Sequence, residues 1–481
     1  MIYSNYDFLA LLPALLLWFY LARTVRTQNI VLLLVSLGFI AWAGVWNLII
    51  LAAVTAVVWI YLKLDEHFQL SRPWLGLVIG LLILNLAYFK YRDFLSQSLG
   101  ISLPAPSLIA WIVPLGISFY TFEAVSATLD LKDRKKVPPL REWSLFMTFF
   151  PHLIAGPVVR YRQLAPQFNE LKSFNWRHIS VGLHLFTLGF VKKLAADPIG
   201  RIIDPVWAAP SQASSLALFL ALLGFYAQIY ADFSGYTDMG RGVARMMGYR
   251  LPINFRAPYF AASPGEFFQR WHISLSSWIR TFIFVKLSFA VLSRIRSRRW
   301  QYYAQIGVTL VVMAIFGLWH GAAWHFVLCG VWLGVMIAGW TIVTKGKAPR
   351  TRWGLVLSIV LLQVCWLVAL ILFRAENMSA VGAYVWGLFA MRSAPPYPGL
   401  WWCLVAVAVV MLSQAVDYCV WRRPVARAFV AMRATTGGAV LMALVFVAAL
   451  SLKIAGDNGH FAALSTGQPG LPSVGFIYFQ F

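Results

Sequence analysis

The sequence is poor in charged residues, and that scarcity excludes an ordinary soluble protein. Only 12% of its 481 residues are charged, and 60% are hydrophobic. An average soluble domain has roughly 25% charged residues and about 45–50% apolar ones. A chain of this size with so few charges cannot cover a water-soluble surface, so part of its solvent must be the lipid bilayer.

Cysteine is also scarce, which excludes a disulfide framework. The four cysteines lie in or beside hydrophobic runs and form no CxxC pair, so we interpret them as small core residues. No HExxH pattern is present, and His325 follows His320 at a spacing that suits chelation poorly. We therefore expect neither a metal site nor a tightly bound cofactor. The four cysteines are Cys329, Cys365, Cys403 and Cys419.

Acidic residues number only 17 against 40 lysines and arginines, which gives a net charge of +23. In a soluble protein this excess would suggest nucleic-acid binding. Here the basic residues lie mainly between hydrophobic runs, as the positive-inside rule predicts for cytoplasmic loops. We therefore expect contact with membrane lipid and no nucleic-acid partner. The main basic clusters are Arg23/Arg26, Lys132–Lys136, Arg294–Arg299, Lys345–Arg352 and Arg422–Arg433.

The hydrophobic runs predict an all-α polytopic membrane protein. Most approach the ~20 residues that cross a bilayer as a helix, and they lack the alternation of barrel strands. We predict about 11–13 membrane helices, some of them short or re-entrant. The first run follows Asp7 and is not preceded by a basic segment. We therefore expect it to be retained as a membrane span and not cleaved as a signal peptide. The clearest runs are Phe8–Leu21, Leu48–Leu62, Trp74–Phe89, Thr309–Trp319, Phe326–Val343 and Gly354–Phe373.

Two stretches interrupt this pattern. Phe150–Arg162 is cut by prolines, a glycine and polar residues, and Ala231–Ser276 is polar, aromatic and rich in glycine and proline. Irregular backbone at membrane depth occurs where it is buried in protein or lines a water-filled cavity. We therefore expect the helices to break over Ala231–Ser276 and this stretch to form the wall of a functional cavity.

His320 ends one of the apolar runs, within Leu318-Trp-His-Gly321. Ionisable residues at membrane depth are costly and mark functional sites by default. An imidazole takes up a proton near neutral pH, so His320 suits a general base that deprotonates a hydroxyl group. The structural alternative is a helix-end histidine that only bonds a backbone carbonyl, and the residues alone do not decide between the two.

A second cluster is Phe267-Phe-Gln-Arg-Trp-His-Ile-Ser-Leu-Ser-Ser-Trp278, in which Arg270 and His272 lie among aromatic residues and three serines follow. Its arginine suits a phosphate or a carboxylate. The alternative, an interfacial amphipathic helix whose Arg270 meets lipid phosphates, is locally the better explanation. Asp232 and Asp238 form a third candidate group, which either orients a histidine or pairs structurally with an arginine.

Five motifs in order make the chain resemble the membrane-bound O-acyltransferase family. Within that family, the chain resembles the bacterial branch that includes the alginate and cellulose acetylases, the D-alanyl transferases and the peptidoglycan acyltransferases. The resemblance spans nearly the whole chain. The motifs are Gly156-Pro-Val-Val-Arg160, Asp232-Phe-Ser-Gly-Tyr-Thr-Asp-Met239, Phe255-Arg-Ala-Pro-Tyr259, Arg270-Trp-His-Ile-Ser-Leu275 and Leu318-Trp-His-Gly321.

The resemblance implies a helix bundle around a central tunnel, with His320 at the family's catalytic histidine position. His272 matches a second catalytic position, where it would hold the carbonyl or steady the oxyanion. The remaining candidates would bind substrate: Arg270, Asp232, Asp238, Trp271 and Trp319.

The resemblance also implies a donor and an acceptor. The donor would be acetyl-CoA or another acyl thioester on the cytoplasmic side. The acceptor would be an exported polysaccharide such as alginate or cellulose, reached through a periplasmic partner protein. The chain would lie in the bacterial inner membrane with both termini periplasmic. Alternatives are a transporter or flippase, although no repeated halves are evident, a lipid-directed acyltransferase, and a D-alanyl transferase.

The chain is expected to form one integral membrane domain over residues 1–481. Residues 1–130 would supply N-terminal helices, 140–345 the catalytic core, and 350–481 the C-terminal helices and an aromatic tail, Phe476–Phe481.

Overall fold

A computed structural model describes residues 3–102, 113–132, 137–154, 156–347, 349, 351–394, 397–422 and 435–465, with side chains to residue 454 in the last segment. These residues form helices and connecting loops, and no strand occurs among them. The all-α prediction is therefore confirmed. The tail Phe476–Phe481 lies outside the described residues.

Eleven helical segments of the described part of the chain are long and apolar enough to cross a membrane, and the shorter apolar helices Tyr6–Leu21 and Met378–Phe389 accompany them. Large apolar side chains point outward from them, for example Phe289 and Trp353, whose exposed fractions are 76% and 84%. Such surfaces are stable in lipid and costly in water. The chain is a multi-pass membrane protein, and eleven spans agree with the number predicted.

The chain divides into two compact units. The first comprises residues 1–188, 236–252 and 432–443, and the second comprises residues 189–235, 253–431 and 444–481. The helices of the first unit are α1 (Tyr6–Leu21), α2 (Val25–Trp42), α3 (Val45–Phe68), α4 (Arg72–Leu86), α5 (Arg92–Leu99), α6 (Ile117–Leu131), α7 (Leu140–Thr148), α8 (Phe150–Leu153) and α9 (Tyr161–Leu164).

Two long helices, α10 (Trp176–Ala208) and α11 (Ser215–Met246), contribute residues to both units. The second unit contains the helices α12 (Pro264–Phe268), α13 (Ile273–Ile279), α14 (Val285–Leu292), α15 (Arg298–His320), α16 (Trp324–Thr344), α17 (Arg352–Arg374), α18 (Met378–Phe389) and α19 (Trp402–Arg422). The last described helix is α20 (Thr436–Ser465).

The predicted break at Phe150–Arg162 is confirmed, because α7, α8 and α9 are short helices separated by loops. Buried polar contacts hold this region against α6. Nδ1 of His152 lies 3.0 Å from a carboxylate oxygen of Glu123, and the backbone N–H of Val159 donates to the same oxygen at 3.0 Å. The polar residues that interrupt the run are therefore paired with one another inside the protein, as an apolar surrounding requires.

The second predicted break begins later than expected. Residues 231–246 belong to α11, which continues without interruption to Met246. The glycines there allow close packing. A Cβ atom on Gly235 would lie 2.7 Å from the carbonyl oxygen of Gly189, and one on Gly242 would lie 2.6 Å from the backbone nitrogen of Phe186. Irregular backbone occupies much of residues 247–272, and the short helix α12 lies within it.

Candidate active site

His320 is the last residue of α15, and two glycines bring this helix against α16. A Cβ on Gly317 would lie 2.1 Å from the carbonyl oxygen of Phe326, and one on Gly330 would lie 2.0 Å from that of Met313. Only glycine permits such close backbone contact. The position of the imidazole is therefore determined by two helices packed at van der Waals distance.

The hydrogen bond of His320 sets its tautomer. Nδ1 lies 2.8 Å from the carbonyl oxygen of Phe316, one turn earlier on α15. A carbonyl oxygen only accepts, so Nδ1 carries the proton and donates it. Nε2 then has the lone pair that a general base uses. The helix-end interpretation and the catalytic one are thus compatible, since the structural bond prepares the other nitrogen.

An apolar cavity adjoins His320. Its volume is about 20 Å³, which accommodates about one water molecule. Phe316, Trp319 and Phe373 surround the imidazole, with ring centroids 4.7, 4.9 and 5.4 Å away. The cavity is lined by Ile229, Phe268, Trp271, Phe316, Gly317, His320, Phe326, Cys329, Leu333, Trp366, Ala369, Leu370 and Phe373.

His272 lies in the same unit, fully buried, immediately before α13. Its φ of 44° and ψ of 51° place it in the left-handed region, which costs a non-glycine residue about 1–3 kcal/mol. Its ring lies 4.6 Å from that of Phe233 and 6.1 Å from that of Trp319. Burial lowers the pKa of His272 well below its ordinary value, and the nearby His320 lowers it further. His272 is therefore neutral near pH 7.

Asn254 holds this strained segment in place. Its side-chain oxygen accepts from the hydroxyl of Ser274 at 2.7 Å and from the backbone N–H of Ser274 at 3.1 Å. It also lies 3.4 Å from Nδ1 of His272, and its carbonyl oxygen accepts from the backbone N–H of Ile273 at 2.9 Å. Because an amide oxygen only accepts, Nδ1 of His272 is the donor and Nε2 the acceptor.

Sequence reasoning missed Asn254. The signal available in the sequence was a lone carboxamide in an otherwise apolar and aromatic stretch. In the structure this side chain is only 1% exposed. A buried polar group of this kind has to find partners. The sequence, however, does not show that those partners surround His272.

The two candidate tryptophans, Trp271 and Trp319, pack beside the histidines. Trp319 contacts the rings of both His272 and His320. Trp271 lines the cavity beside His320 and stacks on Phe267, with ring centroids 5.7 Å apart. Both tryptophans therefore shape the apolar wall of the site.

The guanidinium of Arg270 is occupied by structural contacts. It pairs with Glu266, donates to the carbonyl oxygen of Ala257 at 3.3 Å and lies over the rings of Tyr418 and Trp421 at 5.4 and 5.2 Å. Arg270 does not line the cavity of His320. These contacts favour neither of the two sequence-based interpretations, phosphate binding or membrane-surface anchoring.

Both candidate aspartates form ion pairs. Asp232 lies 2.8 Å from the ammonium of Lys193, which also contacts Asp197 at 2.5 Å. Asp238 belongs to the first unit and pairs there with Arg241 at 2.8 Å. The structure thus brings His320, His272, Trp271 and Trp319 together, whereas Arg270 and the two aspartates have structural partners.

Comparisons with known proteins identify the family of the chain. The family model described as the membrane-bound O-acyltransferase family matches residues 39–354. The chain is 36% identical over 408 residues to a probable alginate O-acetylase of Azotobacter vinelandii, covering 81% of this chain and 77% of that protein.

More distant relatives carry other acyltransferase names. The chain is 27% identical to a peptidoglycan O-acetyltransferase of Helicobacter pylori, over 75% of this chain and 73% of that protein. It is 29% identical to a teichoic acid D-alanyltransferase of Bacillus subtilis, over 54% of this chain and 67% of that protein. The chain is therefore an acyltransferase and belongs to the membrane-bound O-acyltransferase family.

Proposed function

We propose that this protein takes an acetyl group from a thioester donor and passes it on for the O-acetylation of an exported polysaccharide. The relatives' names, alginate O-acetylase and peptidoglycan O-acetyltransferase, support an acetyl group and a polymeric acceptor. The single observation that carries the chemistry is the bond from Nδ1 of His320 to the carbonyl oxygen of Phe316, which leaves Nε2 as a base.

In the proposed reaction, Nε2 of His320 accepts the hydroxyl proton while the acceptor oxygen attacks the thioester carbonyl. The tetrahedral intermediate then collapses, the carbon–sulfur bond breaks, and the thiolate recovers the proton from His320. The apolar walls around the imidazole exclude bulk water, which limits hydrolysis of the thioester.

The role of His272 differs from the oxyanion contact expected from the sequence. An oxyanion requires a donor, yet the tautomer set by Asn254 makes Nε2 of His272 an acceptor, and its lowered pKa disfavours a second proton. We assign His272 to orienting a donor group, such as the hydroxyl of the acceptor, toward His320.

We favour direct transfer over an acyl-enzyme intermediate. The cavity of His320 contains one thiol, that of Cys329, which donates to the carbonyl oxygen of Ala369 at 3.4 Å. A buried thiol held in this way keeps its proton, and the thiolate is the nucleophilic form. Cys329 is therefore a wall residue of the site.

The donor in this scheme is acetyl-CoA or a carrier-protein thioester, offered from the cytoplasm. The protein would reside in the bacterial inner membrane with both termini periplasmic, an orientation favoured by its basic loops. Among the residues that the structure describes, few lie outside helices and could hold a polymer, which favours a periplasmic acetylating partner for the last step.

The test compares two histidines that make the same kind of bond. His325 also directs Nδ1 to a carbonyl oxygen, that of Leu372, at 2.9 Å. A strain that exports the polymer and lacks this gene is complemented with wild type, His320→Gln or His325→Gln. Acetyl ester on the polymer is then quantified at matched membrane levels of each protein.

We expect ester with wild type and His325→Gln and none with His320→Gln, because a glutamine amide cannot take up a proton as the imidazole does. Equal ester with both variants would refute His320 as the base. Acyl groups found on membrane lipid, or D-alanine found on the polymer, would instead favour one of the related acyltransferase activities. Substrate movement without ester formation would point to a transporter.

A further inference from the structure

Five basic side chains from three segments of the first unit lie close together at one end of α10 and α11. Gly248 brings the segments into contact, because a Cβ there would lie 3.3 Å from Nδ1 of His178 and 3.4 Å from Cδ of Lys172. The positive charges of the other four residues all act on His178. We call this group the basic cluster. It comprises Lys172 in the loop before α10, Arg177 and His178 at the start of α10, Arg245 at the end of α11, and Arg250 shortly after it.

The basic cluster has few negative charges to balance it. In the described part of the chain one carboxylate pairs with it, that of Glu170, which lies 2.5 Å from the ammonium of Lys172. Arg177 and Arg245 form no ion pair among those residues, and Nη1 of Arg245 is buried without a hydrogen-bond partner. Four permanent positive charges against one negative charge leave a surplus of three. Such a concentration of one sign attracts an anion from outside the chain.

Helix dipoles explain only part of this arrangement. Arg245 lies in the last turn of α11, where a cation is favourable. Arg177 is the second residue of α10, where the helix N-terminus repels a cation, and its charge also acts on Arg245. An anion bound to both guanidinium groups would offset these two repulsions.

Hydrogen bonds hold the backbone of the cluster in place without a ligand. The side chain of Gln28 donates to the carbonyl oxygen of Lys172 at 2.7 Å and accepts from its N–H at 2.9 Å. Gln167 makes the same two bonds with the backbone of Arg250, at 3.0 and 2.8 Å. The cluster is therefore preorganised, and little conformational freedom is lost when an anion binds.

The basic cluster lies at a membrane surface. It is found where one membrane span, Trp176–Ala208, begins and another, Ser215–Met246, ends. The bonds to Gln28 place it beside the start of α2, close in sequence to Arg23 and Arg26. The positive-inside rule favours the cytoplasmic surface for such a concentration of basic residues.

The loop that carries Lys172 also exposes apolar side chains next to the cluster. Leu171, Phe174 and Trp176 are 52%, 62% and 44% exposed. Leucine and aromatic residues beside basic ones are typical of segments that enter the interface of anionic membranes. A soluble phosphate would balance the charges and leave these side chains in water. An anionic lipid satisfies both, since its phosphate meets the cations and its acyl chains meet the apolar residues.

We propose that the basic cluster binds the phosphate of an anionic membrane lipid. Arg177 and Arg245 contact the phosphate oxygens, and the loop residues Leu171 and Phe174 pack against the upper part of the acyl chains. The site is separate from the histidines of the candidate active site, and the inference does not depend on the proposed reaction.

The test measures lipid binding by the full-length protein through its thermal unfolding. Nanodiscs of phosphatidylcholine are compared with nanodiscs that contain increasing fractions of phosphatidylglycerol, because a lipid that binds the folded state raises the unfolding temperature. The proteins are wild type, the double variant Arg177→Gln with Arg245→Gln, and the same two positions changed to lysine. The matched control is Arg298→Gln with Arg299→Gln, two exposed arginines that also begin a membrane span.

We expect phosphatidylglycerol to stabilise wild type and the control pair to the same extent. Each basic residue near an anionic surface contributes about fivefold in affinity, so the glutamine double variant should bind phosphatidylglycerol roughly 30-fold more weakly. The lysine double variant should retain most of the binding, because it keeps the charge. Each protein is compared with itself in the two lipids, so a lower stability of a variant in both lipids leaves the result readable.

The assignment would be overturned by a wild type that phosphatidylglycerol does not stabilise, or by a glutamine double variant that is stabilised equally. An equal loss in the control pair would show a general effect of surface charge and would also overturn it. Soluble ligands are added to wild type in neutral lipid as a further arm. Protection by glycerol phosphate equal to that by phosphatidylglycerol would identify a soluble phosphate as the ligand, and stronger protection by polyglutamate would identify an acidic protein surface. Either result would refute a lipid site.

Discussion

Replacing Asn254 with alanine should release His272 from its strained backbone conformation. The substitution removes an oxygen that accepts from Ser274 at 2.7 and 3.1 Å and lies 3.4 Å from Nδ1 of His272. Each buried donor left unsatisfied costs about 1–3 kcal/mol. The two donors of Ser274 therefore predict a loss of roughly 2–6 kcal/mol in the free energy of unfolding.

The effect on catalysis follows from the strain. His272 has a φ of 44°, a conformation that costs about 1–3 kcal/mol and that the bonds to Asn254 offset. Without them this cost is unopposed, so the fraction of molecules with His272 in place should fall about 5- to 150-fold. We expect a fall of that size in kcat at saturating donor, with a smaller change in KM.

The assay is acyl transfer by purified protein in nanodiscs, measured across pH with three variants. Asn254→Asp keeps an acceptor oxygen for Ser274, so it should fold better than Asn254→Ala. Its carboxylate would lie beside Nδ1 and raise the pKa of His272, which is lowered in wild type by burial and by His320. The acid limb of its rate profile should therefore move to higher pH.

The matched control is Asn29→Ala in the first unit. Asn29 is also a buried carboxamide and donates to the carbonyl oxygen of Phe168 at 2.9 Å. It should lose stability and keep kcat. If Asn254→Ala retained full kcat at full occupancy of folded protein, or if Asn254→Asp showed an unshifted profile, the positioning role of Asn254 would be refuted.

Three further predictions concern pH, helix packing and the thiol. His272 has a folded-state pKa below its unfolded value of about 6.5, so this residue should cost wild type up to about 1.4 kcal/mol of stability per pH unit on acidification below pH 6.5. His272→Gln should lose correspondingly less stability in thermal unfolding from pH 7.5 to 5. Gly330→Ala would place a Cβ 2.0 Å from a carbonyl oxygen and should lower the unfolding temperature and activity, whereas Gly339→Ala on the same helix meets nothing within 4 Å and should lower neither. Cys329→Ala should retain transfer within a few-fold of wild type, and complete loss in a folded variant would instead indicate an acyl-enzyme on this thiol.

The helices were predictable from the sequence because bilayer thickness sets their length. About 11–13 spans were expected and eleven are present among the described residues, with short helices at the predicted break around His152. The continuity of α11 was not predictable. Glycine occurs both where a helix breaks and where a neighbouring backbone packs closely against a helix. Only the packing of Gly235 on Gly189 shows which of the two applies here.

The sequence indicated both histidines as site candidates, His320 because a titratable group in an apolar run is conspicuous and His272 through the resemblance to the family. It did not indicate Asn254, which acts through hydrogen bonds to a segment eighteen to twenty residues away in sequence. Such roles depend on tertiary contacts, which spacing does not reveal.

Asp232 is either a structural partner of Lys193 or part of the chemistry. Variants of Asp232 and of Lys193 distinguish these two roles. Two carboxylates, Asp197 and Asp232, share the one ammonium of Lys193 at 2.5 and 2.8 Å, and Lys193 and Asp232 are at most 4% exposed. Removing one partner of a buried pair costs about 3–5 kcal/mol when the other charge is left alone. Asp232→Asn leaves Lys193 paired with Asp197, so it should cost less than this range.

Lys193→Met, in contrast, leaves two carboxylates facing each other and should cost at least as much as that range. The double variant, Lys193→Met with Asp232→Asn, should recover part of the lost stability, because it removes one of the two repelling carboxylate charges. Thermal unfolding and acyl transfer measured together separate the two roles of Asp232. A structural partner predicts activity that falls only in proportion to folded protein. Full loss of activity in a stable Asp232→Asn variant would make this carboxylate part of the chemistry, and the ion pair would then be the means of holding it there.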